Sequence, residues 1–518
     1  MANRHPNQEQ DQRLEILNTL LTTPHRQLDK IWPVHKSMVE SDPRFYVRLG
    51  AWYHDHGDVR DHKEMFVVTL LLSNFEGHRD VGLALLRGLP PYQVMRVVDF
   101  IHGKKTTRKV RAKPDEKRQK AKKEEASDRQ PAQTLVEEFG LFKNPPRALK
   151  TEVTRYLRER EADPEWFDGS VLIARKAIKR LYALLHIPPG ERAQKSLFEE
   201  APPADSRLFA LKELVKSGTP AEQARTIIEH RIPYRVAATV VQQMTPTVLL
   251  ALIEVMSPQE LINNLGALQR RGALDNPELK ALIDQKLEEA KTSERVSAYK
   301  AQVAGQAAGA TGALAAALDA VTEARVKARG KITRPTALLL DKSGSMHVAL
   351  EVGRQLGAMI SAICEADLFA YAFDSIPYPI EPRGPALADW EKAMAGIYAG
   401  GSTSCGVAID WMRRHGQRVE QLVFVTDEGE NAPPRFNDAY EAYASELKVR
   451  PSVILVRIGQ ADTLLQRACN DLRVPINVID FRGDYYALPN VIPLLTFPSQ
   501  LELLMEILNY PLPRRKEN

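Results

Sequence analysis

Asp341, Ser343 and Ser345 have the most informative spacing in this chain of 518 residues. They form Asp341-Lys-Ser343-Gly-Ser345, directly after the apolar run Thr336-Ala-Leu-Leu-Leu340. A carboxylate followed by two hydroxyls, each two residues on, lets three oxygen donors converge on one point, and Gly344 permits the tight turn between them. Two later stretches offer similar donors. Gly400-Gly401-Ser402-Thr403 brings a hydroxyl on a loop, and the apolar run Leu422–Thr426 ends at Asp427. The carboxylates of Asp341 and Asp427 and the hydroxyls of Ser343, Ser345 and Thr403 are all hard ligands. They suit a divalent cation, Mg2+ first, with Mn2+ and Ca2+ as alternatives. Such an ion would keep some water and leave one position for an outside carboxylate or phosphate oxygen. No nucleophile stands beside a base in these stretches, and no GxxxxGK[ST] phosphate loop occurs in the sequence.

Donors so far apart in the chain need a scaffold that gathers them. From Pro335 onward, short apolar runs alternate with amphipathic segments. Strands are expected at Thr336–Leu340, Leu368–Phe373, Leu422–Thr426, Val453–Ile458 and Ile476–Ile479. A helix follows the first, with apolar residues at Val352, Leu356, Met359, Ile360 and Ile363. Fully apolar runs separated by helices predict a parallel sheet covered on both faces, a doubly wound α/β domain over about residues 333–510. Ligands of such sheets collect beyond the carboxyl ends of the strands, where the strand order reverses. Asp341 and Asp427 both close a strand at that end.

Residues 1–330 read as all-helical. Thr219-Pro-Ala-Glu222 and Ser257-Pro-Gln-Glu260 each place a hydroxyl at the N-cap, proline at the first helical position and glutamate at the third, the signature of a capping box. Thr245-Pro246 carries half of that device, and Gly218 and Gly272 stand where C-caps are expected. Short helices joined by tight turns predict stacked helical hairpins of the HEAT-like repeat type. The Ala/Gly-rich stretch 304–329 reads as one long helix leading into the α/β domain. The helical region is interrupted by a basic insert at 104–132, poor in apolar residues and expected to be a loop.

The net charge of +5 is mild, but it is unevenly placed. Lys104–Lys123 holds eleven Lys/Arg against two Asp/Glu, a local net of +9, so the rest of the chain sums to −4. That is a local electrostatic footprint rather than a uniformly basic protein. Apolar content of 44% is ordinary for a globular chain, and no apolar run reaches membrane-spanning length. The start, MANRHPNQEQDQR, lacks the apolar core of a signal peptide. Cys364, Cys405 and Cys469 are too few and scattered for a disulfide framework or a zinc site. These features fit a cytoplasmic protein with no membrane partner. A second polar cluster, His54-Asp55-His56 with Asp58, Asp61 and His62, is bunched at one loop between apolar helical runs, and reads as an interhelical turn rather than a metal site.

The Asp341 to Asp427 pattern resembles the metal-ion-dependent adhesion site of von Willebrand factor A domains. Joined to the helical region, it resembles the Ro autoantigen family, whose helical part is the TROVE domain. Phe45-Tyr-Val-Arg-Leu-Gly-Ala-Trp-Tyr53 and Gly57-Asp-Val-Arg60 are similar to that family's opening helix and its turn. Arg147-Ala-Leu-Lys150 with Val153 and Tyr156 resembles its Arg-x-Leu-basic helix. Glu229-His-Arg-Ile-Pro-Tyr-Arg235 and Met256-Ser-Pro-Gln-Glu-Leu-Ile-Asn-Asn-Leu265 resemble its last repeats, and Ala317-Leu-Asp-Ala320 the helix before the adhesion domain. The insert at 104–132 and the acidic Glu428-Gly-Glu430 depart from the family pattern.

The resemblance implies RNA binding without catalysis. In that family the helical repeats close into a ring that takes Y RNA on its outer surface and single-stranded 3' ends of misfolded or immature noncoding RNA in its hole. Bacterial members pair with Y-like RNA and with an exoribonuclease. Basic residues on helices would contact phosphates. The candidates are Arg147, Lys150, Arg155, Lys176, Lys179, Arg180, Arg231, Arg235, Arg270 and Arg271, with Lys104 and Lys105 at the insert. Tyr156, Tyr182 and Tyr234 lie beside basic residues as possible stacking platforms, against the plainer reading of core-edge tyrosines. The alternative function is a magnesium-dependent protein-docking adaptor that recognises an acidic ligand through the metal site.

Overall fold

In the computed structural model, the described residues are 13, 28–57, 59–110, 133–307, 312–328, 330–459, 462–481, 483, 488, 491–496 and 500–515. The chain divides into two compact units. One comprises Met1–His25, Glu40–Arg60 and Pro202–Pro511, and the other Arg26–Val39, Asp61–Ala201 and Leu512–Asn518. Among the described residues no helix is long and apolar enough to cross a membrane.

The first unit contains the sheet. Strands β3 (Thr336–Asp341), β4 (Leu368–Phe373), β5 (Pro377–Pro379), β6 (Gln421–Thr426), β7 (Ser452–Ile458) and β8 (Ile476–Phe481) are arranged β5-β4-β3-β6-β7-β8. All pairs are parallel except β4 with β5. Every residue of β3 and β6 is buried, which is why the interior of each is a continuous apolar run rather than an alternating one. Ala337 and Leu339 face a core with Met412, Phe424, Phe436 and Tyr440. On β3's other face, Leu340 meets the helix His347–Ile363 so closely that a Cβ at Gly353 would lie 2.5 Å from its Cδ1. The strand order reverses at β3, with β4 on one side and β6 on the other. The doubly wound expectation holds, with one addition, the short edge strand β5.

Helices of the same unit stack ahead of the sheet. Arg207–Lys216, Pro220–His230, Tyr234–Val240, Pro246–Val255, Pro258–Arg270, Pro277–Thr292, Ala298–Ala307 and Gly312–Lys327 follow in order. Pro220–His230 packs on Pro246–Val255, that helix on Pro277–Thr292, and Pro277–Thr292 on Gly312–Lys327, while Pro258–Arg270 packs on Ala298–Ala307. This next-but-one pattern buries one continuous core from Leu214 to Val321, as in a helical solenoid. The capping box at Thr219 is complete, with both bonds to Glu222 at 3.3 Å. At Ser257 only half forms. The hydroxyl accepts from Glu260 N at 3.2 Å, while the Glu260 carboxylate takes the backbone N–H of Tyr234. Gly272 is left-handed (φ 74°) as a cap glycine should be, but the helix before Gly218 is capped by extended Ser217 instead.

The stretch 304–329 is not one helix. Its described residues belong to two helices, Ala298–Ala307 and Gly312–Lys327, packed on each other. The basic insert is also corrected in part. Lys104–Val110 (β1) and Gln133–Phe139 (β2) pair as antiparallel strands, Lys104 opposite Phe139 and Val110 opposite Gln133, so the insert begins as a hairpin arm. Residues 111–132 lie outside the described residues.

The second unit is helical, built on Arg60–Leu72, His78–Gly88, Pro91–His102, Arg147–Ala162 and Pro164–Leu184. Two fully buried histidines stand in its core. His35 and His62 share a hydrogen bond of 2.9 Å, and His35 lies edge-on to Phe66. Burial, and then the neighbouring His62, hold the His35 pKa well below its ordinary value. Between that lowered value and about 6.5 the unfolded chain binds a proton that the folded chain refuses, so stability falls as pH drops below about 6.5, by up to about 1.4 kcal/mol per pH unit. Calorimetric melting between pH 5 and 7 should show this loss in the wild type and a flatter dependence in His35→Gln; equal slopes would exclude His35 as the source.

Candidate metal centre and nucleic-acid interface

The end of β3 and the end of β6 lie side by side, which brings Asp341 and Asp427 to one place at the switch in strand order. Asp341 is fully buried, with Oδ1 accepting from Ser343 N at 2.8 Å and Oδ2 from the Thr426 hydroxyl at 2.6 Å. Ser345 Oγ donates to Asp427 Oδ2 at 3.2 Å, and Gly429 N donates to Asp427 Oδ1 at 3.0 Å. Burial raises the pKa of Asp341, and the charge of Asp427 adds to that, while the bonds from Thr426 and Ser343 oppose it. Every donor to these carboxylates is neutral.

The nearest lysine does not relieve that charge. Lys342, between the two site residues Asp341 and Ser343, gives its ammonium to Asp374 Oδ2 at 2.6 Å and to Gly400 O at 3.1 Å, and it lies over the Tyr378 ring. Its own carbonyl accepts from Gly400 N at 2.6 Å. Lys342 thus ties the Gly400-Gly401 loop to the end of β4. Thr403, on the same loop, is held at its backbone, where its N–H donates to Asn431 Oδ1 at 2.8 Å and its carbonyl accepts from Asn431 N and Ala432 N. The neighbouring Cys405 thiol is pushed well up by burial and then by Glu430, Asp341, Glu428 and Asp427, and its N–H donates to Glu430 Oε1 at 3.1 Å. Ser343 is buried and Ser345 exposed, so the cluster opens to solvent on the Ser345 side.

Two carboxylates with unneutralised charge, backed by hydroxyls and open on one side, fit a hard divalent cation. Asp341, Ser343, Ser345, Asp427 and the Thr403 loop would hold it, and the ion would supply charge neutralisation and a position for an outside oxygen. Sequence spacing named these five residues. It did not name Thr426, whose hydroxyl orients Asp341, nor the Lys342–Asp374 pair. Among the described residues no group of three or more His, Cys, Asp or Glu gathers in a metal-holding arrangement. The His54–His62 cluster is therefore dispersed into structural roles. Asp55 accepts from Tyr510 OH, His56 stacks on Trp52, Asp61 pairs with Arg96 at 2.6 Å, and His62 bonds His35. Asp58 lies outside the described residues.

The basic candidates fall into two sets, one on each unit. Arg147, Lys150, Arg155, Lys176, Lys179 and Arg180, with Lys104 and Lys105, belong to the second unit, and Arg231, Arg235, Arg270 and Arg271 to the first. Several are already engaged. Arg180 pairs with Asp99 at 2.7 Å, Arg155 lies 3.9 Å from the buried Glu152, Lys105 pairs with Glu138 at 2.8 Å, and Arg271 donates to Tyr234 OH at 2.6 Å. Lys104 rests over the Phe139 ring. Arg147, Lys150, Lys176, Lys179, Arg231 and Arg270 are exposed and have no carboxylate partner among the described residues. Tyr156, Tyr182 and Tyr234 are buried, so none can stack on a base. One of several exposed aromatics that the sequence did not single out is Trp166, 45% exposed beside the Arg160 guanidinium.

No family model and no curated protein matches this chain. Among solved structures, the Ro (RSR) protein of Deinococcus radiodurans matches 89% of this chain and 92% of its own, with a TM-score of 0.56 at 16% identity. This chain has the Ro fold. A von Willebrand factor type A protein from Catenulispora acidiphila matches 34% of this chain and 43% of its own, at 15% identity and a TM-score of 0.24. The Ro-like fold agrees with the helical-plus-α/β architecture expected from the sequence.

If the carboxylates hold charge in place for a cation, removing one helps the metal-free protein and harms the loaded one. Asp341→Asn should melt no lower than the wild type in EDTA. With Mg2+ at about a hundred times its Kd, the wild type should gain about 2.7 kcal/mol and the variant nothing. An equal Mg2+-dependent rise in Tm in both proteins would remove Asp341 from the site.

Proposed function

We propose that this chain is a non-catalytic RNA-binding protein of the Ro type, acting in the cytoplasm in quality control, processing or decay of noncoding RNA. Its ligands are Y-like RNA and the single-stranded 3' ends of misfolded or immature transcripts, delivered to or shared with an exoribonuclease. The helical residues 1–330 carry the RNA and the α/β residues 333–510 the metal centre. The observation that carries this reading, beside the Ro-like fold, is the set of six exposed cations without carboxylate partners among the described residues, five on helices and Arg231 at a helix C-cap. A cation already paired gains little by meeting a phosphate, whereas an unpaired one releases counterions from the RNA and contributes affinity directly. Lys176 and Lys179 lie just past a kink at Ala174 in the helical segment Pro164–Leu184, whose part before the kink bears exposed Trp166. Phosphate contacts from one element and a ring able to stack on an unpaired base suit single-stranded RNA.

A second reading concerns the metal centre alone. Its solvent-open side at Ser345 and its surplus negative charge favour magnesium-dependent docking of an acidic protein ligand. The two activities use different residues and can coexist.

Filter binding of a structured RNA with a single-stranded 3' tail tests the first reading. Affinity should fall steeply between about 50 and 200 mM salt. A Lys176→Ala/Lys179→Ala variant should bind more weakly to all sequences alike, with the salt slope reduced by about one for each phosphate no longer neutralised. Failure to retain RNA at low salt would end the proposal. Asp341→Ala should keep full RNA affinity while losing any Mg2+-dependent protein partner. Loss of RNA binding in that variant would instead place the RNA at the metal centre.

A further inference from the structure

Asp427 is followed by a residue in an unusual state. Glu428 has φ 66°, in the left-handed region that non-glycine residues seldom occupy, and its side chain is fully buried. A buried carboxylate in such a backbone needs strong partners, and it has them. Oε1 accepts from Arg457 Nε at 2.6 Å, and Oε2 accepts from Gln466 N at 2.8 Å, in the first turn of Leu464–Asp471. The guanidinium is itself fixed from the far side, by Asp480 Oδ1 at 3.2 Å and Gln466 Oε1 at 2.8 Å. Both oxygens of Glu428 are thus engaged with partners within the chain.

Its backbone reaches the metal centre. Glu428 N donates at 3.0 Å to the Thr426 hydroxyl, the same hydroxyl that donates at 2.6 Å to Asp341 Oδ2. Thr426, Asp427 and Glu428 therefore form a turn with one end bonded to Asp341 and the other to Arg457 on β7. Asp427 is the residue between those two anchors. Glycine would adopt this φ without strain but could not supply the second anchor.

We propose that the Glu428–Arg457 pair is a positioning device for the metal centre. It holds the left-handed turn that aims the Asp427 carboxylate, and so sets cation affinity without touching the ion. This rests on the reading of the Asp341 cluster as a cation site. The competing account is that the pair only joins β6 to β7. That role would change stability and leave affinity alone.

The test is Mn2+ titration of metal-stripped, full-length protein, followed by electron paramagnetic resonance and calorimetry, with Tm in EDTA measured in parallel. Glu428→Gln keeps the shape and an acceptor for Gln466 N but loses the charge, and should bind Mn2+ about tenfold to a hundredfold more weakly. Glu428→Gly, which relieves the backbone and deletes the anchor, should be no better than Glu428→Gln. Either variant binding within about twofold of wild type, whatever its Tm, overturns the proposal. If the Glu428 variants do not fold, Asp480→Asn loosens Arg457 from its half-exposed side. A loss of about twofold to fivefold is then expected, and none overturns the proposal. A wild type that binds no Mn2+ fails the cation-site reading itself, an outcome distinct from variants that match a binding wild type.

Discussion

The α/β part of this protein is organised around uncompensated negative charge at the end of β3. Asp341 is buried beside Asp427, and the groups that contact the two carboxylates directly are backbone N–H groups and hydroxyls. Such donors orient a carboxylate without neutralising it, so the pair repels and its desolvation is not offset within the chain. The nearest available cation, Lys342, is turned away to Asp374. Placing the ammonium there keeps the Gly400-Gly401 loop in position and leaves the charge at Asp341 unneutralised. A fold that merely needed stability would not retain this arrangement, because an uncompensated buried charge is among the costlier features a core can carry.

That constraint dictates the sheet order. The reversal at β3 puts β6 directly beside it on the side away from β4, and that adjacency lets the Thr426 hydroxyl reach Asp341. The helical stack has no comparable demand. Its continuous core from Leu214 to Val321 needs apolar periodicity and working caps, and its surface charges are free to vary. The two proposed activities would therefore use two kinds of scaffold. A hard-ion site requires donors fixed to within fractions of an ångström, supplied by strand ends, whereas phosphate contacts tolerate long, mobile side chains on helix surfaces.

The sequence was legible wherever structure follows from local pattern. β3, β6 and β7 are fully or nearly fully buried, so each carries a run of at least four apolar residues that announces it. Asp341, Ser343 and Ser345 stood out because strand, tight turn and hydroxyl spacing lie within a few residues, and Asp427 because it closes a second apolar run. β5 was not, since Pro377-Tyr-Pro379 is three residues long with two prolines, tolerated only because it is an edge. The arm β1–β2 was hidden by its Lys, Arg and Thr content, and its two strands are separated by 22 residues. Partner choice was the least legible. Glu260 forgoes its own helix cap for Tyr234 N, Lys342 chooses Asp374 over Asp341, and Glu428 chooses Arg457. Each choice depends on which element lies alongside, which spacing along one chain does not encode.

The same distinction explains how a chain only 16% identical to the Ro structure keeps that fold over 89% of its length. Helix stacking asks for apolar residues at the right period, not for particular ones, so Leu, Ile, Val and Met can exchange at modest cost while the stack persists. Strand ends that gather ligands are less forgiving, because a hydroxyl or carboxylate cannot be exchanged for an apolar side chain and still face a cation. The positions that the proposed cation site would hold strict are few and cluster at 341–345, 403 and 426–428. Divergence can therefore run far in the helical stack before it touches what the strand ends require.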